Sequence, residues 1–578
     1  MQGWIGFVNE PLVVSIVGFS MNSPTERKPI LEVVPLGGVG EFGMNMMAIE
    51  SGETAVLIDA GVMFPGPELL GIELVIPDLS FLRNRETPLS ALVLTHGHED
   101  HIGAVPYVWD IIDGPVYGTP LTLALLESKL EERGIDAGDR LVSIAPRQTV
   151  TVGSFIIEFI HVTHSMPDCV AIAVHTALGT LIHTGDFKFD KTPNNGEVFD
   201  TDRLEELGQA GVLALFSDST NIEQKGYTGS EADVIEAFEE IFSNTSGKLI
   251  VTAFASSLHR IQILVDLAER FDRKVAFVGR GVKKTIAIAT RLGRLRIPTG
   301  LQIRESDVLQ HVPSTVLCIT TGSQGEPLSA LSRIAVNAHR HIKLEPDDVV
   351  VFSARAIPGN QRAIGRLMNH IARCGTEVIH ENHKQVHVSG HGSEEDLKFM
   401  ISTVKPRYFV PIHGEYRHLA HHARVVGRVT EDETKVLLAE NGDKICFDGD
   451  SGWIGDRVQT GQTLLDITRR GEVSDEVLRD RRRLSGDGLV VALMTINQKT
   501  GTIEGAPELI TRGFVAEQTM KELLRDVLPL LDKLIRAASV EERADNELIS
   551  EQIRIELERF FRRRSRQRPL VLPVIMEI

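Results

Sequence analysis

The chain has 578 residues, of which 42% are hydrophobic and 24% are charged. These values are typical of a soluble globular protein of about three or four domains. The net charge of -18 argues against a protein that binds nucleic acid indiscriminately. None of the four cysteines forms a CxxC pair, so the sequence indicates neither a disulfide framework nor a zinc ribbon. A reducing, cytoplasmic location is predicted.

Residues 1–28 are predicted to be an N-terminal extension. Their apolar run, PLVVSIVGF, is too short to span a bilayer, and no basic region precedes it. We therefore expect neither a membrane association nor a signal peptide. Met21 is an alternative start of the chain, and the first predicted strand begins at Leu31.

Residues 29–225 contain short apolar strands that end in Gly, Asp or His. Examples are LEVVPLGG, TAVLIDAG, ALVLTHGH, FIIEFIHVTHS and TLIHTGD. Strands that end in polar residues predict a sheet with a site at one edge.

Residues 226–379 follow a different pattern. Amphipathic segments such as HRIQILVDLAERF alternate with apolar runs such as KLIVTAF, TVLCITTG and DVVVFSA. This alternation predicts an α/β domain with a parallel sheet. The first pattern returns in residues 380–455, with HVSGHG and YFVPIHGEY, so one domain is predicted to be split by an inserted one.

The inserted segment is basic although the whole chain is acidic. Residues 226–379 contain 19 Lys and Arg residues against 15 Asp and Glu residues, and 273–304 contains no acidic residue. A polyanion could therefore bind locally, and a solvated basic face is the alternative. The basic residues that could contact such a polyanion include Arg280, Lys283, Lys284 and Arg291.

Residues 456–475 are predicted to be a linker, and residues 476–578 a small C-terminal α/β domain. The latter combines two strands, amphipathic helices, the basic cluster RRRSRQR and a final strand, VLPVIMEI. The apolar face of MKELLRDVLPLLDKLI indicates either a domain core or an oligomer contact.

The most informative motif is THGHEDHIGA, which directly follows a predicted strand. It places four side chains with metal-binding chemistry within six residues: His96, His98, Asp100 and His101. One ion cannot easily use all four in so tight a turn, so two adjacent ions are predicted. The alternative is a histidine-rich surface turn.

Further ligands are predicted at the ends of later strands. His164 follows FIIEFIHVT, Asp186 follows TLIHTG, and His413 follows RYFVPI. Each residue alone could equally be a hydrogen-bonded core or loop residue, but together with the first cluster they indicate one site.

These motifs resemble those of ribonuclease J enzymes, which belong to the β-CASP group of the metallo-β-lactamase superfamily. Asp218 in SDSTN, His391 in HVSGHG and His413 in PIHGEYRH match the three β-CASP motifs. The phrases NHKQVHVSGHG, PGNQRAIGRLMN and TGSQGEPLSAL match ribonuclease J specifically. The resemblance implies an α/β fold: an αββα metallo-β-lactamase sandwich, an inserted β-CASP α/β domain and a small C-terminal α/β domain.

The resemblance also implies roles for the site residues. His96, His98 and His164 would hold one divalent ion, and Asp186 would bridge to a second. The second ion would be held by Asp100, His101 and His413. Asp100 is also expected to be a catalytic residue. His391 would act as general acid or leaving-group stabiliser, oriented by Asp218. Zinc is the expected metal, with manganese or magnesium as alternatives.

The implied activity is hydrolysis of single-stranded RNA, in RNA maturation and messenger-RNA decay. Family members degrade RNA from 5′ to 3′ with a preference for 5′-monophosphate ends, and they also cut internally. Ser353, Arg355, His387 and Ser389 have suitable chemistry for the terminal phosphate. The alternative is that the serines only satisfy backbone groups. A homodimer or homotetramer and partners such as a helicase or other ribonucleases are expected.

Three other functions fit the sequence less well. A thioesterase or lactonase of the same fold would leave residues 226–379 and the histidine of SGH unexplained. A β-CASP nuclease that acts on DNA or on messenger-RNA 3′ ends is a poorer match to the HVSGHG and PGNQ phrases. A non-catalytic scaffold would be expected to have lost some of the ligands.

Overall fold

The computed structural model describes residues 31–66, 69–326, 328–357, 359–466, 471–497, 500, 502–515, 517–539 and 546–577. The predicted extension at 1–28, including the alternative start at Met21, lies outside the described residues. None of the helices in the described ranges is long and apolar enough to cross a bilayer.

The elements of the first domain precede the insertion. Residues 31–143 form β1 (Leu31–Gly37), β2 (Val39–Gly40), β3 (Met46–Ser51), β4 (Thr54–Ile58), β5 (Leu74–Pro77), α1 (Ser80–Arg83), β6 (Leu89–Val93), α2 (Glu99–Ile102), α3 (Val105–Val108), β7 (Val116–Gly118), α4 (Pro120–Glu132) and β8 (Leu141–Ser143). Residues 149–218 form β9 (Thr149–Val152), β10 (Phe155–His161), β11 (Val170–Thr176), β12 (Gly179–His183), α5 (Thr201–Ala210) and β13 (Val212–Asp218).

The inserted α/β segment contains α6 (Ile235–Asn244), β14 (Leu249–Thr252), α7 (Leu258–Arg270), β15 (Lys274–Val278), α8 (Arg280–Arg291), β16 (Gln302–Ile303), β17 (Val316–Thr320), α9 (Ala330–Ala335), β18 (Val349–Phe352), α10 (Gln361–Arg373) and β19 (Glu377–Ile379). Short 3-10 helices span Gly138–Arg140, Glu231–Val234, Glu305–Gln310 and Pro313–Thr315.

The chain then returns to the first domain and ends in a separate unit. The returning part contains α11 (Glu394–Val404), β20 (Tyr408–Ile412), β21 (Gly414–Glu415), α12 (Tyr416–Val429), β22 (Lys435–Val436), β23 (Asp443–Phe447), β24 (Gly452–Arg457), β25 (Gln462–Asp466) and β26 (Gly471–Glu472). The last part contains α13 (Asp475–Gly486), β27 (Leu489–Asn497), β28 (Thr502–Arg512), α14 (Glu517–Ala537), α15 (Asn546–Ser565) and β29 (Leu570–Glu577).

Two sheets form the centre of the first domain. One has the order β24-β23-β1-β3-β4-β6-β7-β8 and the other the order β22-β20-β13-β12-β11-β10-β9. Their inner faces share one buried apolar core, to which Val33, Val56, Phe159 and Phe216 contribute. Helices α2 to α4 cover the outer face of the first sheet, while α5, α11 and α12 cover that of the second. Burial of apolar side chains in these layers is the main force that holds the sandwich together.

The insertion leaves the second sheet intact. The chain departs after β13 and returns in β20, and these two strands pair in parallel with Asp218 opposite Ile412. The inserted residues form their own parallel sheet, with the order β16-β15-β17-β14-β18-β19, as the alternating pattern predicted. Because β13 and β20 are neighbours, Asp218 and His413 come together at the same edge.

The predicted linker at 456–475 contains regular structure. Strand β25 pairs with β5 of the first domain and β26 pairs with β25, so this segment lies against the first domain as part of a three-stranded sheet.

The C-terminal unit is a three-stranded sheet, β28-β27-β29, covered by helices. The apolar face of α14, including Val527 and Leu531, packs with Ile553 and Leu557 of α15 and with Val490 of β27. Of the two interpretations of that face, the structure therefore favours the domain core.

Candidate active site

The predicted ligands lie on loops that follow strands at one edge of the sandwich. The loop after β6 carries His96 and His98, and α2 begins immediately at Glu99. This turn can form because Gly61 faces it: a Cβ atom at Gly61 would lie 1.6 Å from the carbonyl oxygen of Asp100. Only glycine permits such an approach between two backbone segments.

The first group of ligands is His96, His98, His164 and Asp186. The Nε2 atom of His96 lies 3.0 Å from Nδ1 of His98, which lies 3.2 Å from Nε2 of His164. The Oδ2 atom of Asp186 lies 3.7 Å from Nε2 of His96 and 3.9 Å from Nε2 of His164. Four donor atoms from three loops thus converge on one point.

The second group is Asp100, His101, His413 and again Asp186. The Nε2 atom of His413 lies 3.3 Å from Oδ2 of Asp100 and 3.7 Å from Oδ1 of Asp186. The Nε2 atom of His101 lies 3.2 Å from Oδ2 of Asp186. Asp186 is thus shared by both groups. Its Oδ1 atom faces His413, and its Oδ2 atom faces His96, His101 and His164.

The donor atoms fit divalent metal ions in type and spacing. Four ligands at 2.0–2.1 Å from a tetrahedral zinc ion lie about 3.3 Å from one another, and most of the distances above are near that value. Nitrogen and carboxylate donors suit zinc and also manganese. The sequence-predicted ligands are therefore brought together as two adjacent sets joined at Asp186.

The protonation of the first group also suits metal binding. Burial and then the neighbouring histidines hold the pKa of His96 well below its usual value, and burial lowers the pKa of His98 to about 4. Neutral imidazole is the form that binds a metal. Burial alone would lower the pKa of His101, but Asp186, Asp100 and Asp59 together raise it.

His391 lies next to both groups without belonging to the predicted ligand set. Its Nδ1 atom is 2.8 Å from Oδ2 of Asp218, and its Nε2 atom is 3.9 Å from Oδ2 of Asp186. Its ring stacks on that of His413, with centroids 5.4 Å apart. Asp218 thus turns the free nitrogen of His391 towards the centre of the site.

The loop around His391 is held by side chains that the sequence reasoning missed. Asn221 donates to the carbonyl oxygen of His391 at 3.1 Å, and Thr228 donates to the same oxygen at 2.9 Å. Thr220 lies 2.6 Å from Nδ1 of His413 and donates to Asp218 at 2.7 Å. Thr220 and Asn221 lie two and three residues after Asp218 in SDSTN, which was the only available signal for them.

Three of the four predicted phosphate-binding residues lie on or near the segment that leads into His391. Asn221 donates to the hydroxyl oxygen of Ser389 at 2.8 Å, and Arg355 approaches the side-chain oxygen of Asn221 at 3.5 Å. Arg355 is exposed, whereas His387 is half-buried. Burial, followed by Arg260 and Arg355, lowers the pKa of His387 to about 3, so its imidazole is neutral.

Ser353 is placed differently from the other three. Its side chain is only 2% exposed, its hydroxyl donates to the carbonyl oxygen of Val386 at 2.7 Å, and it accepts a bond from Arg260 at 2.6 Å. The hydroxyl is therefore engaged within the protein. This agrees with the alternative that the serine only satisfies backbone groups.

The chain is similar over nearly its whole length to proteins of one family. It is 38% identical to Ribonuclease J2 of Bacillus subtilis over 548 aligned residues. The alignment covers 95% of this chain and 99% of that protein. The chain belongs to the ribonuclease J family. It is also 36% identical over 519 residues to Ribonuclease J of Helicobacter pylori, covering 89% of this chain and 75% of that protein.

Four family models match successive parts of the chain. They are the metallo-beta-lactamase superfamily at 39–244, the ribonuclease J beta-CASP domain at 246–371, a Zn-dependent metallo-hydrolase RNA specificity domain at 376–436 and the ribonuclease J C-terminal domain at 476–578. The predicted fold class and family are confirmed. A crystal structure of an Enterococcus faecalis protein of unknown function covers 72% of this chain and 100% of that chain, with a TM-score of 0.52 and 15% identity, which shows the fold alone.

The predicted basic residues of this ribonuclease J family member lie on α8 and have different surroundings. Arg280, Lys283 and Arg291 are exposed, but Lys284 binds the carbonyl oxygen of Ser128 at 3.0 Å and so ties the insertion to the first domain. Lys283 lines an open cavity of about 600 Å³, together with Gln302, Arg304 and His341. This cavity lies on the inserted sheet and is separate from the His/Asp site.

Asp59 is a further residue of the site that the sequence reasoning missed. Its carboxylate lies 2.7 Å from Nδ1 of His101 and accepts the backbone and hydroxyl hydrogens of Thr95, both at 2.8 Å. A carboxylate that binds one imidazole nitrogen orients the other one for metal binding. Asp59 follows β4 in the run TAVLIDAG, but a single aspartate after a strand has no distinctive spacing.

We expect Asp59→Asn to lower metal affinity or activity about 10- to 100-fold, because His101 would face a neutral amide in place of the carboxylate that fixes its ring. Titration of the metal-free variant with zinc measures the metal affinity, and the rate of RNA cleavage by the zinc-loaded variant measures the activity. Unchanged zinc affinity together with an unchanged rate would show that His101 needs no such support. Asp348 is a buried aspartate immediately before β18, and Asp348→Asn is the control for a general loss of folding.

Proposed function

We propose that the protein hydrolyses the phosphodiester bonds of single-stranded RNA at the His/Asp site, with two divalent ions, preferably zinc, held by the two ligand groups. The observation that carries this proposal is the shared carboxylate of Asp186 between two sets of metal-binding side chains, with His391 beside them. Divalent ions held by these residues would supply Lewis-acid stabilisation of a phosphoryl group and a nucleophile at neutral pH.

The chain itself supplies the remaining steps. His391 donates a proton to the 3′-oxygen that leaves, and Asp218 holds its ring in the donating orientation. Cleavage leaves a 5′-phosphate on the downstream product, because the bond that breaks joins phosphorus to the leaving 3′-oxygen, while the 5′-oxygen keeps the phosphate; no 2′-hydroxyl is required. The thioesterase or lactonase alternative lacks support, since ribonuclease J models match the inserted and C-terminal domains.

We further propose a 5′-to-3′ exonuclease that prefers 5′-monophosphate ends and also cuts internally. The residues that would recognise the terminal phosphate are Arg355, His387 and Ser389, because they lie on or beside the segment that leads into His391. A phosphate bound there would place the first internucleotide linkage near the ligand groups. The exposed cations of α8 would contact the strand through its phosphates.

We propose the domain organisation that the sequence predicts. It comprises a metallo-β-lactamase domain at 29–225 and 380–455, a β-CASP domain at 226–379, a connection at 456–475 and a C-terminal domain at 476–578. Assembly as a homodimer or homotetramer, action with a helicase or other ribonucleases, and a cytoplasmic location complete the proposal.

The test uses purified protein and uniformly labelled single-stranded RNA with either a 5′-monophosphate or a 5′-hydroxyl end. Metal-stripped protein is assayed with zinc, manganese or magnesium added back. We expect 5′-mononucleotides that appear faster from the monophosphate RNA and only with metal. RNA that survives under every metal condition, while a thioester or lactone is hydrolysed, would reject the proposal.

A further inference from the structure

A buried cluster of charges lies behind the proposed phosphate-binding segment. Its four members come from the first domain and from the inserted segment, and each is at most 4% exposed: Lys188, Asp190, Glu231 and Arg260. The Nζ atom of Lys188 lies 3.7 Å from Asp190 and 3.8 Å from Glu231. Such a set loses much hydration energy on folding, so its presence is weak evidence for added stability and points to another role.

Arg260 uses its guanidinium to join three parts of the chain. Its Nε and Nη2 atoms donate to Oε2 of Glu231 at 2.9 and 2.7 Å. Its Nη1 atom donates to the hydroxyl of Ser353 at 2.6 Å and to the carbonyl oxygen of Val386 at 2.7 Å. Ser353 donates to the same carbonyl, so Val386 is fixed by two donors.

The position of Val386 sets the path of the next residues in the chain. His387 and Ser389 are one and three residues further on, before the loop reaches His391. His391 has independent supports, because Asn221 and Thr228 donate to its carbonyl oxygen and Asp218 binds its ring. Ser389 shares one of these supports, because Asn221 also donates to its hydroxyl oxygen. Displacement of Val386 would therefore move the adjacent His387 more than Ser389 or His391.

We propose that Arg260 is the positioning residue for recognition of the 5′-phosphate: it fixes the backbone at Val386 and thereby sets the adjacent His387 against the terminal phosphate. The inference rests on the proposed function and assigns to Ser353 a supporting role in place of phosphate contact. Lysine cannot perform this task, because its ammonium group lacks the planar fork that reaches Glu231, Ser353 and Val386 together.

The experiment compares wild type with Arg260→Lys, which keeps the buried positive charge and removes the fork. The readout is the ratio of kcat/KM for RNA with a 5′-monophosphate to kcat/KM for the same RNA with a 5′-hydroxyl. We expect this ratio to fall about tenfold, since displacement of a binding group by about 1 Å can cost up to ~10²-fold. The rate on 5′-hydroxyl RNA should stay close to that of wild type.

Two further variants separate positioning from general destabilisation. Arg273 is also buried in the inserted segment, but it donates to backbone carbonyls such as those of Gly247 and Thr245, away from the loop that leads to His391. Arg273→Lys should therefore leave the ratio unchanged. Ser353→Ala removes one of the two donors to Val386 with little change in volume, and should lower the ratio by less than Arg260→Lys does.

The outcomes distinguish this inference from the proposed function. A wild-type ratio near one would remove the proposed preference for 5′-monophosphate ends, and with it the role of Arg260. A wild-type ratio well above one that persists in both Arg260→Lys and Ser353→Ala would overturn the role of Arg260 alone. If Arg260→Lys fails to fold, Ser353→Ala decides by the same ratio.

Discussion

Asp186→Asn is expected to lower kcat/KM for RNA by at least about 10³-fold. Asp186 is the one side chain present in every ligand group found among the described residues. The neutral amide of asparagine cannot supply anionic oxygens to two ions at once. Metal ions held at this site would contribute several kcal/mol to the stabilisation of the transition state, and each 1.36 kcal/mol corresponds to a factor of ten in rate.

Metal content decides how this loss is interpreted. We expect fewer than two ions per chain in Asp186→Asn, measured by mass spectrometry of the dialysed protein. Asp348→Asn is the matched control, because Asp348 is equally buried but binds Lys248 and nearby backbone groups. It should lower the thermal unfolding temperature and leave the metal content intact. An Asp186→Asn protein with two ions and near wild-type activity would reject Asp186 as the shared ligand.

Much of this site could be predicted because its ligands follow a local rule. His96, His98, Asp100 and His101 are concentrated in one turn after a strand, so their spacing alone indicated metals. His164, Asp186 and His413 are scattered over 250 residues, but each follows an apolar strand. Strand ends on one edge of a sheet meet in space, and that regularity allowed them to be joined to the first four.

The supporting residues could not be predicted in this way. Asp59 acts on His101, which is 42 residues further along the chain, and Arg260 acts on Ser353, which is 93 residues away. A single aspartate or arginine in an apolar environment has no periodicity that reveals its partner. For the same reason, the sequence could not show whether the hydroxyl of Ser353 faces solvent or the interior.

The segment at 456–475 illustrates the limits of local patterns in the fold itself. Its strands β25 and β26 contain five and two residues, too few to show a clear alternation of apolar and polar side chains. The partner strand, β5, lies almost 400 residues earlier in the chain. Such pairing is decided by tertiary contacts, so the segment was predicted only as a linker.

His391→Ala is expected to lower kcat about 10²- to 10⁴-fold, which is the usual contribution of a positioned general acid. The Nε2 atom of His391 faces the ligand groups because Asp218 holds Nδ1 at 2.8 Å. Loss of the imidazole removes the proposed proton donor and leaves the seven predicted ligands in place. Metal content and RNA affinity should therefore change little.

Single-turnover cleavage and equilibrium binding of RNA measure the two effects separately. Asp218→Asn should reduce the same rate by a smaller factor, because the imidazole remains but loses its orienting carboxylate. His370→Ala, at an exposed position of α10, is the control for removal of a histidine and should have no effect. If His391→Ala weakened RNA binding as much as turnover, His391 would be a substrate-binding residue, and the leaving 3′-oxygen would need another donor.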